Sequence, residues 1–122
     1  MKKGFKDLRV FQLSYQSAME IFEVSKKFPR KETYSLTDQI RRSSRSVCVN
    51  LAEAYRKRRY SKHFVSKLTD VDAETSETTV WLDFARDCNY LDEKLYNDFT
   101  KKYEEIGKMI AGMIDNYEKF CS

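Results

Sequence analysis

The sequence predicts an all-α protein, an antiparallel up-down-up-down four-helix bundle, and three observations predict it. Only three Gly and one Pro occur in 122 residues, too few turn formers for a β-rich fold. Apolar residues recur at spacings of 3 and 4 in four separate stretches, which is the pattern of one apolar stripe per helix. The breaks between the stretches are short, and short loops join antiparallel neighbours. A single domain over residues 1–122 follows. Its 41% hydrophobic residues supply a core and its 34% charged residues supply solvated faces.

The first helix is expected over about residues 8–27. Leu8, Phe11, Tyr15, Ala18 and Phe22 form its stripe, widened by Met19 and Ile21. Phe28-Pro29 ends it, because proline disfavours helix in the residue before it. The second helix is expected over about 36–57, opened by a capping box of Ser35 and Asp38. Leu36, Ile40, Ser43 or Ser44, Val47, Leu51 and Ala54 face its core side. The third, over about 62–88, takes Ser61 as its N-cap. Its stripe is Phe64, Leu68, Val71, Thr75, Thr78 or Thr79, Leu82 and Ala85, polar in the middle. Asn89-Tyr90-Leu91-Asp92 breaks it, and Asp92 caps the fourth helix, over about 93–120. That helix has the cleanest stripe: Leu95, Phe99, Tyr103 or Lys102, Ile106, Ile110, Met113, Tyr117 and Phe120. Gly107 and Gly112 inside it each cost up to about 1 kcal/mol against Ala, which suggests close approach of a neighbouring helix or subunit.

Several function classes are disfavoured. No apolar run approaches the roughly 18 residues of a membrane span. The basic start, Met1-Lys2-Lys3-Gly4-Phe5, leads into an amphipathic segment rather than an apolar signal core. Cys48, Cys88 and Cys121 are odd in number and far apart, as in a cytoplasmic protein with reduced thiols. The single histidine, His63, has no Glu three residues before it and no ligand set around it. Neither a di-iron nor a zinc site is expected, and no cofactor. A nucleophile would have only His63, in the most basic part of the chain, as its base. The chain is expected not to be an enzyme.

The net charge of +4 is modest but unevenly spread. Residues 41–67 hold nine basic side chains against one acid, Glu53, a net +8. Residues 70–93 hold eight acids against Arg86, a net −7. Within the basic segment, Arg41, Arg45, Arg56, Lys57, Arg58, Arg59 and Lys62 are candidates to neutralise phosphates, and Tyr55 or Tyr60 to stack on a base. The alternative is a solvated turn that balances the acids of the third helix. On the second helix Gln39, Arg42, Ser46, Asn50 and Glu53 make a polar stripe at spacings 3, 4, 4, 3. On the third, Asp70, Glu74 and Glu77 make an acidic one. Arg42 or Arg45 meeting Glu74 or Glu77 would form a charge-assisted contact, within one chain or between chains.

These residues carry a resemblance. Phe28-Pro29, Tyr34-Ser35-Leu36-Thr37-Asp38-Gln39-Ile40-Arg41-Arg42, Ser46-Val47 and Asn50-Leu51-Ala52-Glu53 resemble the signature of the four-helix-bundle proteins encoded in 23S rRNA intervening sequences. Phe5-Lys6-Asp7-Leu8-x-Val10-Phe11, Ser61-x-x-Phe64 and Tyr90-Leu91 extend it over nearly the whole chain. Ser35 and Ala54 stand where that family usually has Gly, and Arg45 and Cys48 where it has small residues or Pro. The resemblance implies a ring-like homopentamer. The accessory protein of diversity-generating retroelements is similar, and it binds nucleic acid and a reverse transcriptase. A reverse transcriptase is thus an expected partner only for a chain from such a retroelement. Gln39, Arg41, Arg42, Asn50 and Glu53 match signature positions, with a role in assembly or ligand contact.

Two functions are weighed. One is a non-catalytic nucleic-acid-binding module, for RNA or DNA and RNA by preference, assembled as a homo-oligomer. The other is a structural or protein-interaction scaffold without a nucleic-acid role. Its second and third helices would form the subunit interface through Gln39, Arg42, Asn50, Glu53, Glu74 and Glu77.

Overall fold

The computed structural model describes residues 4–121; Met1, Lys2 and Lys3 of the basic N-terminus, and Ser122, lie outside the described residues. Four helices follow one another: α1 Arg9–Ser25, α2 Leu36–Arg56, α3 Ser61–Asp87 and α4 Glu93–Asp115. Short 3-10 turns cover Phe5–Asp7, Arg30–Glu32 and Tyr117–Lys119, and no strand occurs among the described residues. Each helix packs on two others, α1 on α2 and α4, and α3 on α2 and α4. Side-chain contacts give the directions. Ser25 meets Arg41 while Phe22 meets Arg45. Arg42 meets Glu77 while Glu53 meets Lys67. Tyr96 meets Asp83 while Phe120 meets Phe64. In each pair one helix advances as the other retreats, so sequential neighbours are antiparallel.

The helix ends show how the chain turns. The Ser35–Asp38 capping box does not form. Ser35 has φ −126° and ψ −104°, not the extended backbone that aims an N-cap oxygen at the helix amides. Glu32 takes that role: its Oε1 accepts from the Leu36 amide at 3.4 Å and from the Ser35 hydroxyl at 2.6 Å. Ser61 is not an N-cap either. Tyr60 is the extended residue (φ −121°, ψ 96°), so α3 starts one position earlier, without a side-chain cap. At the other end of α3, Asn89 adopts φ 63°. Its amide donates to Arg86 O at 2.9 Å, and that of Tyr90 to Ala85 O at 2.8 Å. This is a Schellman stop, with Asn in place of the usual Gly. Asp92 caps α4 as the sequence predicts, accepting from the Leu95 amide at 2.8 Å. α4 ends at Asp115 rather than near 120. The 3-10 turn after it folds Tyr117 and Phe120 back against the core.

The predicted stripes of α2 and α3 are buried throughout, with Thr78 rather than Thr79 facing inward. In α4 the stripe is buried from Phe99 to Met113. Fully buried Phe64, Leu68, Leu82, Ile106 and Ile110 each contribute about 1.5–3 kcal/mol by leaving water. The bundle centre is polar as well. Ser14 and Ser17 of α1, Ser43 and Ser44 of α2, and Thr75 and Thr78 of α3 are all buried. Thr78 Oγ1 lies 2.9 Å from Ser43 Oγ and 2.9 Å from the Glu74 carbonyl oxygen.

α1 corrects the sequence reading. Its core line is Val10, Ser14, Ser17, Ala18, Ile21 and Ser25. Of the expected stripe only Ala18 and Ile21 are buried; Leu8, Phe11 and Phe22 are half-buried, and Tyr15 and Met19 are exposed. Two rows run along α1 about one position apart; the one that carries Ser14, Ser17 and Ser25 faces the close-packed centre, which takes small side chains, and the bulkier one lies at its rim.

Candidate nucleic-acid interface and assembly faces

The basic residues fall into two groups, not one. Arg56, Lys57, Arg58, Arg59 and Lys62 cluster where α2 turns into α3. α2 stops at Arg56, the Lys57 amide reaches Ala54 O at 2.9 Å, and the Tyr60 amide reaches Lys57 O at 2.9 Å. Arg58 donates from Nε to Tyr55 O at 2.8 Å, and its guanidinium sits 3.6 Å from the Tyr55 ring centre. That contact covers one face of Tyr55, leaving Tyr60, 60% exposed, as the open aromatic of the turn. His63 is exposed and edge-on to Tyr60. None of the five cations has a carboxylate within ion-pair distance among the described residues. Lys67, further along, is neutralised by Glu53 at 3.3 Å and Asp70 at 3.9 Å.

Arg41 and Arg45 stand elsewhere, at the α1 side of α2. Both lie over the Phe22 ring, with guanidinium carbons 4.8 and 5.4 Å from its centre. Eleven residues separate Arg45 from Arg56, about 16 Å along a helix. Clustering by sequence position merges the two groups because it ignores that length.

The polar stripe of α2 meets α3 within the chain. Arg42 pairs with Glu77, lies 3.9 Å from Glu74, and donates to Gln39 Oε1 at 3.3 Å. Trp81 Nε1 adds a bond to Glu77 at 3.1 Å. Asn50 turns back to donate to Ser46 O at 2.9 Å. Gln39, Arg42, Glu53, Glu74 and Glu77 therefore have intrachain partners. Glu74 Oε2 is buried and accepts no hydrogen bond, leaving the distant Arg42 charge as its compensation.

The exposed apolar side chains form two other faces, which sequence reasoning missed. One runs along α1 onto α2, with Tyr15 at 56% and Met19 at 47% exposure beside Val49. With Ala18, Arg45 and Cys48 these line a hollow of about 310 Å³. Burial raises the Cys48 thiol to about 11, so it stays protonated at neutral pH. The other lies on α3, where Val80 and Phe84 are exposed beside Trp81. Patches of large apolar groups at the surface mark partner contacts more often than single exposed ones do. The signal in the sequence was the second apolar row of α1. Among the described residues a Cβ on Gly107 or Gly112 would meet nothing within 4 Å, so no neighbouring helix of the chain explains either glycine.

Among the described residues no group of His, Cys, Asp and Glu is placed to hold a metal ion, and no helix is long and apolar enough to cross a membrane. The arrangement is thus a four-helix bundle whose surface separates an unneutralised basic turn from two apolar faces. The model of the 23S rRNA-intervening sequence protein family matches residues 6–112, and the chain belongs to that family. Among solved structures, it is similar to a protein of unknown function from the S23 ribosomal protein family of Bacteroides thetaiotaomicron VPI-5482. The two share 25% identity over 88% of this chain and 96% of that one, with a TM-score of 0.79. No curated protein matches the chain.

Proposed function

We propose that the chain is a non-catalytic, cytoplasmic nucleic-acid-binding module, directed to RNA and assembled as a homo-oligomer. The unneutralised turn carries this reading. Five cations within seven residues concentrate positive charge at one turn, and the phosphates of a polyanion complement it. Filter binding of a structured RNA against salt tests it. The logarithm of affinity should fall linearly with the logarithm of salt concentration, with a slope of about −0.9 for each phosphate neutralised. The double variant Lys57→Glu/Arg59→Glu should weaken binding about uniformly across sequences. A wild-type affinity that ignores salt overturns the reading.

Assembly is supported by the apolar faces rather than by the polar stripes of α2 and α3, whose ion pairs are satisfied inside the chain. The two apolar faces differ, so a head-to-tail contact between copies suits them, and such contacts close into rings. Five copies is the number the family resemblance implies. Light scattering at micromolar concentration should give a multiple of the 14.6 kDa chain mass. Met19→Lys and Phe84→Lys should each return the monomer. A wild-type monomer sinks the assembly reading and leaves the RNA reading standing.

A further inference from the structure

Along the first half of α2 an open groove of about 750 Å³ has Tyr34, Asp38, Arg41, Arg42 and Arg45 in its walls. Tyr34 belongs to the loop before α2 and is 94% exposed. A ring that stands in water adds nothing to the core, so stability does not account for an aromatic there. Arg41 and Arg45 are fixed on the Phe22 ring, and Arg41 is held further by its Nε bond to Ser25 Oγ at 2.8 Å. Neither has a carboxylate within ion-pair distance among the described residues, whereas Arg42 is engaged by Glu77. Asp38 is the groove's acid. It sits in the first turn of α2, where free helix amides favour a carboxylate. Arg41, held before any ligand arrives, lowers the entropy cost of holding an anion, and Arg45 adds a second charge beside it. An open aromatic face beside them suits a base.

We propose that this groove is a subsite for a single-stranded polynucleotide, with a base stacked on Tyr34 and its phosphates on Arg41 and Arg45. The proposal rests on the reading of the chain as a nucleic-acid-binding module and adds a second contact to the α2–α3 turn. A strand laid along α2 meets Arg45 about 16 Å before it reaches the turn. The shared chemistry is a stackable base on a phosphodiester, which RNA and DNA both offer.

Fluorescence anisotropy of the full chain with labelled oligouridylate, oligothymidylate and an abasic oligomer of equal length tests it. Tyr34→Ala should weaken oligouridylate binding about tenfold, Tyr34→Phe should bind like wild type, and neither should alter abasic binding. Arg45 borders both this groove and the hollow beside Met19; Arg45→Gln, at a side chain that makes no hydrogen bond among the described residues, should keep the wild-type light-scattering mass and lower the salt slope by about 0.7. Equal binding of oligothymidylate assigns the groove to both sources, and tighter oligouridylate binding assigns it to RNA. Wild-type affinity in Tyr34→Ala overturns the stacking site. So does an oligoglutamate peptide that competes as well as oligouridylate. If Lys57→Glu/Arg59→Glu abolishes binding while Arg45→Gln and Tyr34→Ala change nothing, the groove is overturned and the turn stands. If the wild type binds no polynucleotide, both fall together.

Discussion

The Tyr90 hydroxyl donates to Glu32 Oε2 at 2.9 Å, tying the 3-10 turn before α2 to the turn between α3 and α4. The same carboxylate caps α2 through Oε1. The hydrogen bond from Ser35, then that from Tyr90, holds the Glu32 carboxyl below its ordinary value of 4.5. Hydrogen bonding to Glu32 raises Tyr90 above its ordinary 10.0.

A pH dependence of stability follows with two edges. The lowered Glu32 contributes stability that is present above 4.5 and lost as pH falls through its lower folded value. The raised Tyr90 contributes stability present below 10.0 and lost as pH rises through its higher folded value. Glu32→Gln should lower the thermal midpoint by a few degrees at pH 7. The difference from wild type should vanish in acid, as read by circular dichroism melts across pH.

Arg42 and Glu77 should be only modestly coupled, because both side chains are partly exposed. A double-mutant cycle of Arg42→Ala with Glu77→Gln should give less than about 1 kcal/mol in urea unfolding. Arg42→Ala should cost more than that coupling, since it strips the buried Glu74 oxygen of its nearest cation. Glu74→Gln in that background should recover part of the loss.

Ser17 and Thr78 should respond in opposite directions. Ser17 Oγ is buried with no hydrogen-bond partner, so Ser17→Ala should stabilise by about 1 kcal/mol. Thr78→Val removes a hydroxyl that bonds both Ser43 and the Glu74 carbonyl, and should destabilise by about 1 kcal/mol. Chemical denaturation of the two variants beside wild type checks both signs.

Gly107→Ala and Gly112→Ala should each stabilise by about 0.5–1 kcal/mol, because the added methyl meets open space and the backbone loses freedom in the unfolded chain. Thermal melts measure this. Light scattering of the same variants asks whether a second copy lies against either glycine.

All four helices were legible, and the core faces of three were too, because one large apolar residue fell at most core positions, as Phe64, Leu68, Val71 and Leu82 do on α3. The core face of α1 was legible only at Ala18 and Ile21. Periodicity weighs apolar size, and there the large residues Phe11, Tyr15 and Phe22 run beside a core row built partly from Ser14, Ser17 and Ser25. The basic turn was legible as a run of charge, but its separation from Arg41 and Arg45 depends on length along a helix. The meeting of Arg42 with Glu74 and Glu77 was legible from the facing polar and acidic stripes; that it is Arg42 rather than Arg45, and within one chain, needed three dimensions, since Glu77 lies 35 positions away. Tyr34 drew attention only as part of a family signature, because exposure of a loop residue has no sequence period.

The small hydroxyls on the inner side of α1 leave Tyr15 and Met19 facing water. If copies associate through that face as proposed, the thermal midpoint should rise with the protein's own concentration, because each contact between copies draws the folded form onward. Gene dosage would then act as a folding aid, and a cell that makes little of this chain would lose a larger fraction of it to proteases.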